Sequence, residues 1–182
     1  GVYENLVSGT YLADLTLDTE LANTETVAWR LTGTDGAKGR VEGEGTVTVG
    51  GERIFVLDTG LRFENALLVR RDEAVARMTG EVRAEGDGRE LGVTGALTTD
   101  FVEVRLLNRL PPSIVTLDVR FPDDPPEDPA AARGEGVIRV PLDIRIDMPQ
   151  RVFVRGRGLE SEWGGTLEIG GSAAAPSVVG TI

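Results

Sequence analysis

Apolar and polar residues alternate along most of this chain with a period of two. Tyr11, Ala13, Leu15 and Leu17 alternate with Leu12, Asp14, Thr16 and Asp18. Val27, Trp29, Leu31 and Gly33 alternate with Thr26, Ala28, Arg30 and Thr32, and Val41, Gly43, Gly45, Val47 and Val49 with Arg40, Glu42, Glu44, Thr46 and Thr48. The most regular run sets Ile138, Val140, Leu142, Ile144 and Ile146 against Arg139, Pro141, Asp143, Arg145 and Asp147. Successive strand side chains point to opposite faces, so each run predicts a β-strand with one apolar and one wet face. Less regular alternation predicts further strands over 53–58, 61–70, 74–84, 90–98, 101–107, 114–121, 151–158, 162–170 and 177–182. No stretch has helical periodicity. The intervening gaps are short and rich in Gly, Asp and Asn, as antiparallel hairpins require. The expected fold is all-β, mainly an antiparallel meander.

Two places interrupt this pattern. Pro141 lacks a ladder donor and belongs at a bulge, an edge or an unpaired position. The Pro- and Asp-rich segment 122–136 can bury little area and is expected to be a mobile, solvated loop. There is also a weak internal repeat. Gly80, Val82, Ala84 and Gly86, followed by Val93, Gly95 and Leu97, reappear 85 residues later as Gly165, Leu167, Ile169 and Gly171, followed by Val178, Gly180 and Ile182. The repeated unit reads as a hairpin with glycine at its corners, the kind of element that stacks into an array.

Composition removes whole classes of function. The net charge of -11 gives no basic patch with which to displace counterions from nucleic acid. With no His and no Cys, the usual general base, the commonest transition-metal ligand and thiolate chemistry are all missing. The five serines stand in no nucleophile elbow. No glycine-rich phosphate loop opens a helix, and the acidic clusters Asp123-Asp124 and Glu127-Asp128 lack the spaced ligands of a calcium loop. The sequence therefore predicts no enzyme, no cofactor and no metal. No apolar run approaches the roughly 20 residues that cross a bilayer. With 182 residues, 24 of them Gly and only 5% aromatic, the chain suits an extended strand array better than a thick aromatic core. It reads as a single β-sheet module, residues 1–182, cut from a longer protein.

A sheet with one apolar face must cover that face or curl around it. Alternation alone leaves both outcomes open, and an ordinary sandwich is the commoner one.

The stretch Arg151-Val-Phe-Val-Arg-Gly-Arg-Gly-Leu-Glu-Ser-Glu-Trp-Gly-Gly165, continuing through Leu167, Ile169, Gly171, Pro176 and Gly180, resembles a signature of the TamB family. These are the AsmA-like translocation and assembly module proteins of Gram-negative envelopes. The runs Leu107-Asn-Arg-Leu-Pro-Pro-Ser-Ile-Val-Thr-Leu-Asp-Val119 and Pro141-Leu-Asp-Ile-Arg-Ile-Asp147 look like the same family, and the resemblance covers about 61–182. It implies a periplasmic protein held by an inner-membrane helix outside this chain, with a TamA-like outer-membrane barrel as partner. It also implies a sheet folded lengthwise into an elongated trough, a β-taco, with an apolar concave face. Thirteen or so strands at about 4.8 Å would make a trough on the order of 60 Å long.

On that reading the groove is lined by Leu15, Leu17, Val27, Trp29, Leu31, Val47, Val49, Val82, Val93, Leu97, Ile138, Val140, Leu142, Ile144, Ile146, Val152, Val154, Trp163, Leu167 and Ile169. Such a groove suits phospholipid acyl chains moving between the two membranes. The alternative cargo is unfolded outer-membrane β-segments, held by strand addition. Arg151, Arg155 and Arg157 share a face with Phe153, where they can meet headgroup phosphates or, as the more ordinary expectation, pair with Asp143, Asp147, Glu160 and Glu162.

Overall fold

The computed structural model describes residues 1–6, 8–50, 53–106 and 138–181. Every regular element in these residues is a strand. The chain runs β1 (Tyr3–Asn5), β2 (Thr10–Leu21), β3 (Thr26–Thr34), β4 (Arg40–Gly50), β5 (Arg53–Arg70), β6 (Ala74–Asp87), β7 (Leu91–Arg105), β8 (Leu142–Gly156), β9 (Leu159–Ser172) and β10 (Ala175–Thr181). They form one ten-stranded sheet in sequence order, and β10 does not return to β1, so the sheet is not closed into a barrel. All neighbours are antiparallel except β7 and β8, which run parallel. The strand expected over 114–121, the loop at 122–136, the 107–119 resemblance and Ile182 lie outside the described residues.

Among the described residues the strands are fewer and longer than the alternation predicts. The expected pairs 53–58 and 61–70, 90–98 and 101–107, and 138–147 and 151–158 are the single strands β5, β7 and β8. What separates their halves is a bulge, not a turn. The register shifts between Phe63 and Ala66 in β5, opposite Arg77–Met78 in β7, and between Met148 and Val152 in β8. A bulge adds one or two residues and bends the strand without reversing it. The ten described strands span about 43 Å across their nine gaps at ~4.8 Å each.

These irregularities fall on one line across the sheet. Asp14 (φ +53°) in β2, Asn65 (φ +47°) in β5, Gly80 (φ +145°) in β6 and Arg151 (φ +70°) in β8 lie on it, and Asp100 is the extra residue in β7. Bulges bend the strands that they interrupt, so this line acts as a crease that divides the sheet into two arms. The first carries all of β3 and β4, which stop at the crease. The second is made by the far halves of β5 to β9, and its β5 edge is met by the N-terminal segment, where the Arg70 N–H donates to the Ser8 carbonyl at 2.9 Å.

The face folded inward is identified by burial. The buried hydrophobic residues among those described are Val41, Ala66, Ala76, Leu97 and Val152, joined by Thr99. All six stand on one face, because Val41, Phe63, Gly80, Leu97 and Ile146 pair in succession, and Ala76, Met78 and Gly80 alternate along β6. Most lie at or beside the crease, where the arms converge. A sandwich would cover this face throughout. Here Leu17 is 60% exposed and Val178 61%, so the inward face opens toward the rims: the fold is a curled trough.

Candidate functional site

The register makes the inward face a set of continuous rows. Leu17, Leu31, Gly43, Leu61, Val82, Gly95, Ile144, Ile169 and Val178 are successive partners from β2 to β10. The next row toward the crease is Gly33, Val41, Phe63, Gly80, Leu97, Ile146, Leu167 and Gly180. Neither row contains a charged side chain. One position along, on the opposite face, Glu42 pairs Arg62, Arg62 pairs Glu81, and Arg145 pairs Glu168. Ion pairs stud this outer face at Arg30–Glu44, Arg40–Glu64, Arg62–Glu81 and Arg145–Glu168, all well exposed. In such an exposed setting each contributes little to stability.

Glycine lets large side chains lie flat along these rows. A Cβ at Gly43 would come within 2.7 Å of Leu61 Cδ2 and 3.1 Å of the Trp29 ring. Trp29 thus covers the space that a side chain at position 43 would fill.

The predicted lining residues separate by arm. Leu15, Leu17, Val27, Trp29, Leu31, Val47, Val82, Val93, Leu97, Leu142, Ile144, Ile146, Leu167 and Ile169 belong to the inward face of the first arm, where Val27 pairs Val47 and Val93 pairs Leu142. Val152, Val154 and Trp163 belong to the same face across the crease, where Val152 pairs both Val102 and Trp163. Two groups differ in setting. Val49 lies in the register shift at the end of β4, its N–H donating to the Glu25 carbonyl, and is 58% exposed. Ile138 and Val140 precede β8 and flank the isolated bridge between Glu90 and Arg139. Trp163 is 41% exposed, and its Nε1–H donates to Ser161 Oγ at 2.6 Å.

Of the signature arginines, Arg155 lies on the other face, pairing Arg105 and Glu160 one position along from Val154. Arg155 donates to Glu160 at 3.1 Å and sits over the Phe153 ring, 5.1 Å from its centroid. The Arg151 backbone N–H donates to Glu162. Cross-sheet pairing, the more ordinary expectation, is what Arg155 does.

A second feature is absent from the sequence reading. Behind the crease lies a buried polar network. The Asp35 side chain, in the turn between β3 and β4, is fully buried. Its Oδ1 accepts the N–H groups of Ala37 and Gly39, both at 2.9 Å. Its Oδ2 accepts the Leu67 N–H at 3.2 Å and Arg77 Nη1 at 2.8 Å. The same Nη1 donates to the Asn65 carbonyl at 2.9 Å. The Asn65 N–H in turn donates to Thr79 Oγ1, which donates to Asp100 Oδ2 at 2.7 Å. The backbone groups that the β5 bulge frees from the ladder are thus taken up by side chains. Burial by itself pushes the Asp35 carboxyl up, but the two turn amides, Arg77 and the Leu67 amide together hold it below its ordinary value.

The family model described as the TamB C-terminal domain matches residues 29–182. The chain belongs to the TamB family. The match begins well before residue 61, so the N-terminal strands from β3 onward are part of the TamB domain. No curated protein and no solved structure matches the chain. TamB proteins are transport and assembly components of the Gram-negative envelope, not enzymes, and act in a module with outer-membrane partners. What this TamB chain brings to such a module is an open trough whose two central inward rows, among the described residues, hold no charged side chain.

Proposed function

We propose that this TamB segment shields phospholipid acyl chains in its trough as they pass through the periplasm between the inner and outer membranes. The observation that carries the reading is the row from Leu17 to Val178, which crosses nine strands without a charge. Each CH₂ taken from water is worth about 0.8 kcal/mol, so one long acyl chain gains roughly 10 kcal/mol before ordering costs. No cationic side chain stands in these rows to hold a phosphate, so the headgroup stays at the open mouth, in water. The full-length protein is held in the inner membrane by a segment outside this chain and reaches a TamA-like outer-membrane barrel through other parts.

A second reading rests on β10. All its residues are exposed and its outer side pairs with no described strand. Such an edge accepts another strand readily, which favours holding unfolded outer-membrane β-segments.

One substitution separates the two. Leu142 is half-buried on the inward face beside Val93, and Asp143 is exposed on the outer one. Leu142→Arg leaves the fold intact, because arginine can reach toward the open mouth, and stops lipid passage in the full-length protein. Asp143→Arg is tolerated. A folded Leu142→Arg with normal lipid transport and defective barrel assembly overturns the lipid reading in favour of the protein one.

A further inference from the structure

We propose that the Asp35–Arg77 pair sets the angle between the two arms of the trough, and so its width. β3 and β4 end at the crease, leaving the freed backbone of β5 without a neighbouring strand there. The turn after β3 supplies the missing partner. It is rigid, because Asp35 Oδ1 accepts two of its own amides. It is also close against β5: a Cβ at Gly39 would fall 2.6 Å from the Asn65 carbonyl and 2.7 Å from Ala66 Cα. Asp35 Oδ2 then reaches both arms' shared hinge, taking the Leu67 amide directly and the Asn65 carbonyl through Arg77. Thr79 carries the tie on to Asp100, the bulged residue of β7.

One buried carboxylate therefore fixes the turn that ends the first arm to the β5 and β6 residues where the second begins. An amide in its place keeps the volume but turns an N–H₂ toward donors, so at least one of these bonds is lost. The bulges remain, since φ at Asn65 is a backbone property, but nothing then holds the bend at one value.

The chain has no cysteine, so pairs of introduced cysteines carry spin labels cleanly. Labels at Asp72 and Arg89, in the turns at the two ends of β6, report the angle between the arms. Labels at Asp18 and Thr94, both in the first arm, report its internal spacing. With arms of about 20 Å each, Asp35→Asn is expected to lengthen the first distance by on the order of 5 Å or to broaden its distribution by that much. The second distance stays unchanged. A folded Asp35→Asn with both distributions as in the parent overturns the proposal, and so does equal broadening of both, which signals general loosening. If Asp35→Asn does not fold, Arg77→Met carries the same test, because the Arg77 side chain is partly exposed and easier to replace. The readout needs no cargo, so it stands or falls independently of the lipid reading.

Discussion

Gly80 and Gly165, 85 residues apart, occupy the same place in two hairpins at the crease. Gly80 pairs Phe63 on one side, and Gly165 pairs Met148. From each, the register proceeds identically: Val82 with Gly95 and Ala84 with Val93 in the first hairpin, Leu167 with Gly180 and Ile169 with Val178 in the second. Both adopt backbone angles that favour glycine, φ +145° and +158°. The weak sequence repeat is therefore a repeat of geometry, and the glycine that opens it marks the bend.

A side chain at Gly80 should be costly. Its Cβ would lie 2.1 Å from the Ala96 carbonyl oxygen and 2.8 Å from Leu97 Cα, both backbone atoms that cannot move aside. Gly80→Val should lower unfolding stability by on the order of 2–4 kcal/mol, through strain and displaced pairing together. Gly60→Ala is the control, because a Cβ there meets nothing within 4 Å. Urea denaturation of the two variants checks the contrast, and equal loss in both would show that Gly80 is not a special position.

The sheet and its inward face were legible because alternation needs only local sequence, and Leu142, Ile144 and Ile146 state it without ambiguity. The bends were not. Glu64-Asn65, Thr99-Asp100 and Pro149-Gln150-Arg151 carry the residue types of turns, and in the sequence they divide β5, β7 and β8 into shorter strands. A turn and a bulge draw on the same residues, and only the partner strand decides between them. Asp35 was hidden for a different reason. It reads as an ordinary turn residue before Gly36, and its contact with Arg77 spans 42 residues with no spacing rule to suggest it.

Acid should loosen the crease. The Asp35 carboxyl is held below the ordinary value of 3.8, while in the unfolded chain it returns to about that value. A depressed folded value means that the carboxylate stabilises the fold above the unfolded value, and that this contribution disappears as pH falls through the folded one. Glu103 and Asp147, lowered through hydrogen bonds from Arg105 and Arg145, fall in the same acid range. The difference between the parent and Asp35→Asn isolates Asp35: their stability gap should be constant above about pH 5 and shrink below about pH 4. Melting temperatures measured from pH 7 to pH 3 check this, and a gap that does not change with pH would mean that the carboxylate charge contributes nothing.

The two tryptophans can report whether an acyl chain occupies the trough and how far it reaches. Trp29 lies over Gly43 in the first arm, and Trp163 pairs Val152 in the second, both on the inward face. Phospholipid with bromine on its acyl chain quenches indole fluorescence only at close approach. Trp163→Phe leaves Trp29 as the sole fluorophore, and Trp29→Phe leaves Trp163. If the chain lies along the crease between the arms, brominated lipid should quench both single-tryptophan variants relative to the same lipid without bromine. Quenching of Trp29 alone would confine the acyl chain to the first arm, whose rows are the longer. Unquenched fluorescence from both, with lipid shown by mass spectrometry to be bound, would place the lipid off the inward face and remove the groove as its path.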